Sequence, residues 1–174
     1  MSEIPDQIVL DRHLHLHSPG FNRGVRRVIL GLIAFLLVLG LANVFGQRPQ
    51  THRADSATAS LELSVPDHLR GGLLYQARFT IVAHSDVRNA LLQLSPGWNE
   101  GMQINTIEPG PIAEASRNGD MLFTLGHIPA GQKHRLFMQF QVDPTNVGRR
   151  RADVTLYDGA EKLLTIERTV TVYP

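Results

Sequence analysis

Residues 28–45 read VILGLIAFLLVLGLANVF, an unbroken apolar run without a charged side chain and with Asn43 as its one strongly polar residue. Few conformations accept such a run. As a helix rising about 1.5 Å per residue it extends about 27 Å, close to the ~30 Å hydrocarbon core of a bilayer, and a helix satisfies its own backbone hydrogen bonds in lipid. Gly31 and Gly40 suit a membrane span better than a water-exposed helix. A buried helix of a soluble protein is the alternative, and the length of the run argues against it. Arg23, Arg26 and Arg27 precede the run and Arg48 and Arg53 follow it, a bias that places the amino terminus in the cytoplasm and the carboxy-terminal domain outside. Val44 and Gly46 are small enough to resemble a signal-peptide processing site, but the polar leader is long for a cleaved signal, so the run reads as a signal anchor.

The flanks read as tail and linker. In residues 1–27, Pro5, Pro19, Gly20 and Gly24 break any periodicity, which predicts a disordered cytoplasmic tail. His13, His15 and His17 alternate within it, yet alternate side chains on an extended segment stand roughly 6.5 to 7 Å apart, whereas zinc ligands all come within about 2 Å of one ion. No metal or other cofactor is expected. Residues 46–60, GQRPQTHRADSATAS, are small and polar with Pro49 to stop the helix, and predict a linker. With 17 basic against 16 acidic residues the net charge is +1, so no whole-chain field draws the protein to nucleic acid. The absence of cysteine rules out disulfides, thiolate metal sites and a cysteine nucleophile. Fifteen arginines against two lysines are typical of GC-rich bacterial genomes, so the expected location is a bacterial plasma membrane, single-pass.

From residue 61 onward the pattern changes to short alternating segments punctuated by Gly, Pro, Asn and Asp, the signature of an all-β fold. Leu61, Leu63 and Val65 alternate with polar residues up to Pro66. Tyr75, Ala77, Phe79, Ile81 and Ala83 share one face while Gln76, Arg78 and Thr80 share the other, one side core and one side wet. Further strands are read over 87–94, 102–107, 121–125 and 136–142. A seventh opens at Arg149 and runs to Asp158-Gly159, a strong hairpin signal, and an eighth carries Leu164, Ile166, Val170 and Val172. Arg168 interrupts that last face and predicts a bulge or register change. About eight short strands over residues 61–174 point to one antiparallel sandwich, with a closed barrel as the alternative.

The segment Leu125-Gly126-His127-Ile128-Pro129-Ala130-Gly131, the alternating strand to Val142, then Asp143-Pro144-Thr145-Asn146-Val147-Gly148, a strand and Asp158-Gly159 resembles the last three strands of bacterial immunoglobulin-like sandwiches, CARDB-type adhesion modules among them. The likeness covers residues 123–172, and the antibody-type Cys, Trp, Cys pattern is absent. What the resemblance implies is an extracytoplasmic scaffold or binding module without catalysis, and it carries over no functional residues.

Catalytic motifs are sparse. His84, Ser85 and Asp86 are contiguous, but neighbours on an extended segment point to opposite faces and cannot relay a proton among themselves. Glu108 and Glu114 flank a Pro-Gly-Pro loop and read as surface carboxylates rather than a glycosidase pair. Two binding candidates stand out. Trp98, the one tryptophan, lies with Asn99, Glu100, Asn105 and Glu108 in a loop that makes a ligand platform for glycan or cell-wall polymer if the indole is exposed, and a core element if it is not. Arg149, Arg150 and Arg151 form the one basic run, a candidate contact for an anionic surface or a solvated strand end. The expected function is that of a non-catalytic, membrane-anchored interaction or accessory protein of the bacterial envelope, with the bilayer and another envelope or membrane protein as partners.

Overall fold

The structure is a computed structural model that describes residues 21–42 and 47–174. The apolar run forms one helix, α1 (Phe21–Leu41). It begins at Phe21 rather than residue 28, so the end of the expected tail is helical. Arg26 and Arg27 are good helix formers, and Gly24 costs only about 1 kcal/mol in a helix interior. The stretch Gly24–Leu41 has a mean hydropathy of 2.2, long and apolar enough to cross a membrane. The tail to residue 20, with His13, His15 and His17, and residues 43–46 lie outside the described residues.

Gln47–Pro174 form a second, separate unit. Its strands are β1 (Pro49–Asp55), β2 (Ala59–Pro66), β3 (His68–Arg70), β4 (Leu74–Ala83), β5 (Val87–Leu94), β6 (Met102–Glu108), β7 (Ala113–Arg117), β8 (Asp120–Ile128), β9 (Lys133–Val142), β10 (Gly148–Arg151), β11 (Val154–Asp158), β12 (Glu161–Ile166) and β13 (Thr169–Tyr173). One sheet has the order β1-β2-β4-β9-β6, the other β12-β11-β5-β8-β7, and a short third sheet has the order β10-β13-β3. Every pairing is antiparallel except β3 with β13. The result is an antiparallel β-sandwich, preceded by one apolar helix.

Alternation builds the core. Leu61, Leu63, Phe79, Ile81, Leu136, Met138 and Phe140 on the inner face of the first sheet meet Leu92, Leu94, Phe123, Leu156, Leu164 and Ile166 of the second in one buried cluster. Leu69, Val170 and Val172 of the third sheet belong to the same cluster. The Asp158-Gly159 hairpin falls where it was read, with Gly159 between the paired ends of β11 and β12, and Asn118 and Gly119, both at positive φ, turn β7 into β8.

The strand count is higher than the eight read from the pattern, because β1, β3, β7 and β10 are short or largely exposed and because the expected eighth strand divides at Arg168 into β12 and β13. Arg149 to Arg151 do not open the seventh strand but make β10, which pairs with β13, whereas β11 pairs with β5 and β12. The expected linker is also corrected. Residues 49–55 pair in unbroken register with β2, from Pro49 opposite Pro66 to Asp55 opposite Ser60. An edge strand shows one face to water and needs few apolar side chains, and its charges discourage pairing with other chains, so its composition reads as linker. Removing residues 47–58 leaves the outer edge of β2 unpaired. A sandwich starting at residue 59 is expected to melt at least about 5 °C below one starting at 47. Equal melting temperatures in circular dichroism would show that β1 adds nothing to the fold.

Candidate functional site

Ser95 leads into a single turn of 3-10 helix, Pro96–Trp98, in which the Trp98 amide donates to the Ser95 carbonyl at 3.0 Å. The Asp153 amide donates to Ser95 Oγ at 2.8 Å, tying the turn to the segment between β10 and β11. Gly97 presses on that segment so closely that a Cβ would sit 1.8 Å from the Arg151 carbonyl oxygen. The indole is thereby rolled inward. Trp98 is 1% exposed, donates from Nε1 to the Ala152 carbonyl at 2.9 Å and tilts against Phe79 and Phe140 at 5.8 and 5.3 Å. The platform reading is therefore corrected to the core one. An indole whose N–H has a partner inside is buried without a polar penalty.

Over the indole lies the guanidinium of Arg168, 4.8 Å from the ring centroid. Its side chain is almost fully buried, with Nε donating to Asp67 Oδ1 at 3.2 Å and an Nη to the Pro66 carbonyl at 2.8 Å. His52 Nε2 sits 2.9 Å from the same Asp67 oxygen. Burial pushes the Arg168 guanidinium below its ordinary value, and Asp67 draws it back toward the charged form. Nearby, the Tyr75 hydroxyl donates to Met102 Sδ at 3.1 Å, and burial holds its phenol well above the usual range against the pull of Arg168 and Arg150. Instead of a bulge within one strand, Arg168 occupies the break between β12 and β13. Its amide donates to Asp153 Oδ1 and its carbonyl accepts from the Ala152 amide.

The other candidate residues disperse. Glu100 and Arg150, read as parts of two different sites, belong to one clamp. Arg150 donates to the Glu100 carbonyl and to Asn146 Oδ1, and the Asn146 amide group donates to the Gly101 carbonyl at 2.8 Å. Asn99 caps the turn through its backbone and is exposed. Asn105 falls at the register break of β6 and lines a shallow hollow with Gly110, Pro111 and Glu114, while Glu108 is exposed at the end of β6, opposite Phe137. Arg149 and Arg151 are exposed and Arg150 is not, because alternate residues of β10 face opposite ways. Arg151 pairs with Asp153 at 2.8 Å. The three arginines thus offer no common anionic contact. His84 and Asp86 likewise bond to Asp55 at 3.0 Å and His127 at 2.7 Å rather than to each other.

What tertiary structure assembles instead is a basic concavity of about 450 Å³ on the outer face of the first sheet. Its floor includes Thr80, Val82 and Phe137, and around it stand Arg53, Arg78, Lys133 and Arg135, with Glu62 as the one acid of the lining. Arg53 pairs with Asp55 at 3.7 Å, and Arg78 stands over the Phe137 ring at 5.5 Å. Among the described residues, no carboxylate lies within ion-pair distance of Arg78, Lys133 or Arg135. The wet face of β4 was legible from its alternation. Its pairing with β9, which makes the patch, was not.

At the level of sequence, neither a protein-family model nor a curated protein matches the chain. Similar folds occur among solved structures. One is the CARDB domain of a Pyrococcus furiosus protein, at 13% identity over 73% of this chain and 90% of that one, TM-score 0.41. Another is a cohesin module of a Clostridium perfringens family 33 glycoside hydrolase, at 13% identity over 67% and 98%, TM-score 0.41. A third is AvmM, which catalyses a macrocyclization in alchivemycin A biosynthesis, at 6% identity over 71% and 92%, TM-score 0.46. A CARDB domain is thus among the neighbours of the chain as a whole. Likenesses this distant say nothing of activity.

Two stability outcomes follow. Asp67→Asn leaves a buried guanidinium without its counter-charge and is expected to cost about 3–5 kcal/mol in urea unfolding, whereas Arg168→Met, which keeps volume on the indole, costs less. Equal losses would contradict the charge argument. His134 Nε2 is buried without a partner among the described residues, and burial lowers its pKa. Protons then bind the unfolded chain more tightly, so its contribution is fully present above about pH 6.5 and is lost as pH falls through the folded value. The unfolding midpoint of His134→Leu should therefore fall less between pH 7.5 and 5 than that of the natural chain.

Proposed function

We propose that the chain is a non-catalytic, single-pass interaction or accessory protein of the bacterial envelope, with its amino terminus in the cytoplasm and its sandwich outside. One observation carries this reading: a helix apolar enough to span a bilayer and a β-sandwich occur in the same chain, the helix as its own unit. A sandwich of this size does not need such a helix to complete its core, since the inner faces of its sheets already form one buried cluster. Orientation is supported by Arg26 and Arg27 on the amino side of the run. Partner binding is supported by the basic concavity, where Arg78, Lys133 and Arg135 have no carboxylate partner among the described residues. The glycan-platform reading needs an exposed Trp98 and is not carried forward.

Fractionation and cross-linking test this together. The full chain is expected to stay in the membrane pellet after alkaline extraction, with the sandwich open to protease added from the outer side. A version lacking residues 1–46 should be soluble. Cross-linking in the native membrane should capture a membrane or envelope protein with the full chain. Recovery of the full chain in the soluble fraction, or a sandwich protected from external protease, would overturn the topology.

A further inference from the structure

We infer that the basic outer face of the first sheet is a docking surface for an extended acidic polypeptide segment of a partner. The inference rests on the interaction reading above and names the chemistry of what binds.

Register places the cations. Arg53, Glu62, Thr80 and Arg135 form one row across β1, β2, β4 and β9, and the row beside it runs from Ser64 through Arg78 and Phe137 to Glu108. A third row on the other side joins Asp55, Ser60, Val82 and Lys133. Charge is balanced at the β1 end, where Arg53 has Asp55 and Glu62 as neighbours. Over β4 and β9, Arg78, Lys133 and Arg135 converge, and the nearest acids, Glu62 diagonal to Arg78 and Glu108 diagonal to Arg135, form no ion pair with them among the described residues. Lysine or arginine on an edge strand is explained as protection against strand pairing. That explanation fails here, because β4 and β9 are interior strands of the sheet. Cations set diagonally across paired strands repel one another, and the contact of Arg78 with the Phe137 ring supplies no counter-charge.

Spacing then selects the occupant. Lys133 and Arg135 are two residues apart on one strand, roughly 6.5 to 7 Å, and Arg78 stands diagonally from Arg135 at about 7 to 8 Å. Same-face side chains of an extended peptide recur at that same interval. A segment with acidic residues at alternate positions therefore sets one carboxylate on each cation, and the guanidinium groups of Arg78 and Arg135 can each grip one in bidentate fashion. Val82 and Phe137, part-exposed on the floor, add apolar area beneath the methylene groups of those acidic side chains. A flat anionic bilayer cannot follow a concavity, so lipid fits this face less well.

The probe is a fluorescein-labelled decapeptide of alternating Glu and Val, measured by anisotropy against the full chain in neutral nanodiscs, with the Gln and Val peptide as control. Saturable binding is expected for the Glu peptide alone, weakening steeply between about 50 and about 300 mM salt as the screening length shortens. Lys133→Gln combined with Arg135→Gln should weaken it about tenfold, while Arg149→Gln, on a different sheet, should leave it unchanged. Equal affinity for both peptides, or a double variant that binds as before, would overturn the inference. So would stronger binding of phosphatidylglycerol vesicles than of the Glu peptide through the same two residues. If the inference fails while native-membrane cross-linking still captures a partner, the interaction reading stands and the surface lies elsewhere.

Discussion

A guanidinium lying on an indole governs the interior of the sandwich. Arg168 sits 4.8 Å above the Trp98 ring, an attraction worth about 2 kcal/mol or more once water is excluded. A charge so buried persists only if paired and hydrogen-bonded. Asp67 and the Pro66 carbonyl meet that demand. Both belong to the corner between β2 and β3, so the charge draws that corner to the break between β12 and β13. The indole below ties the same region to Phe79 and Phe140 of the first sheet and to Ala152 beside β10. One ion pair thus sets where the last strand leaves the second sheet for the third.

This arrangement explains why features that look like a binding site are structural. Gly97 has no side chain because the Arg151 carbonyl occupies the space, and the Pro-Gly-Trp turn exists to deliver the indole inward. Arg150, Asn146 and Glu100 hold the following loop against β10. Once those polar groups have internal partners, the cations that lack them stand out. They lie on the outer face of β4 and β9, where Arg78 rests on the Phe137 ring but no carboxylate pairs with Arg78, Lys133 or Arg135 among the described residues.

The edges of the two large sheets are managed by composition. β1 carries Arg53 and Asp55 and β12 carries Glu161 and Lys162, while β7 shows five exposed residues with Glu114 and Arg117 among them. β6 breaks register at Asn105. Charged or irregular edges discourage pairing with other chains.

The sequence by itself determined the elements whose cause is local. An uncharged apolar run had to be a helix, and the alternations of β2, β4 and β9 had to put Leu63, Phe79 and Phe140 inside, because period and polarity act within a few residues. The hairpin at Asp158-Gly159 followed from residues that tolerate positive φ. Tertiary structure alone decided the rest. Whether Trp98 was core or platform depended on Ala152 and Phe79, distant in the chain, and β1 was hidden because its order comes from β2 rather than from its own side chains. Arg168 read as an interruption because its partners, Asp67 and Trp98, lie 101 and 70 positions away in the chain. The basic face is a property of β4 lying beside β9, and no local pattern encodes which strands become neighbours.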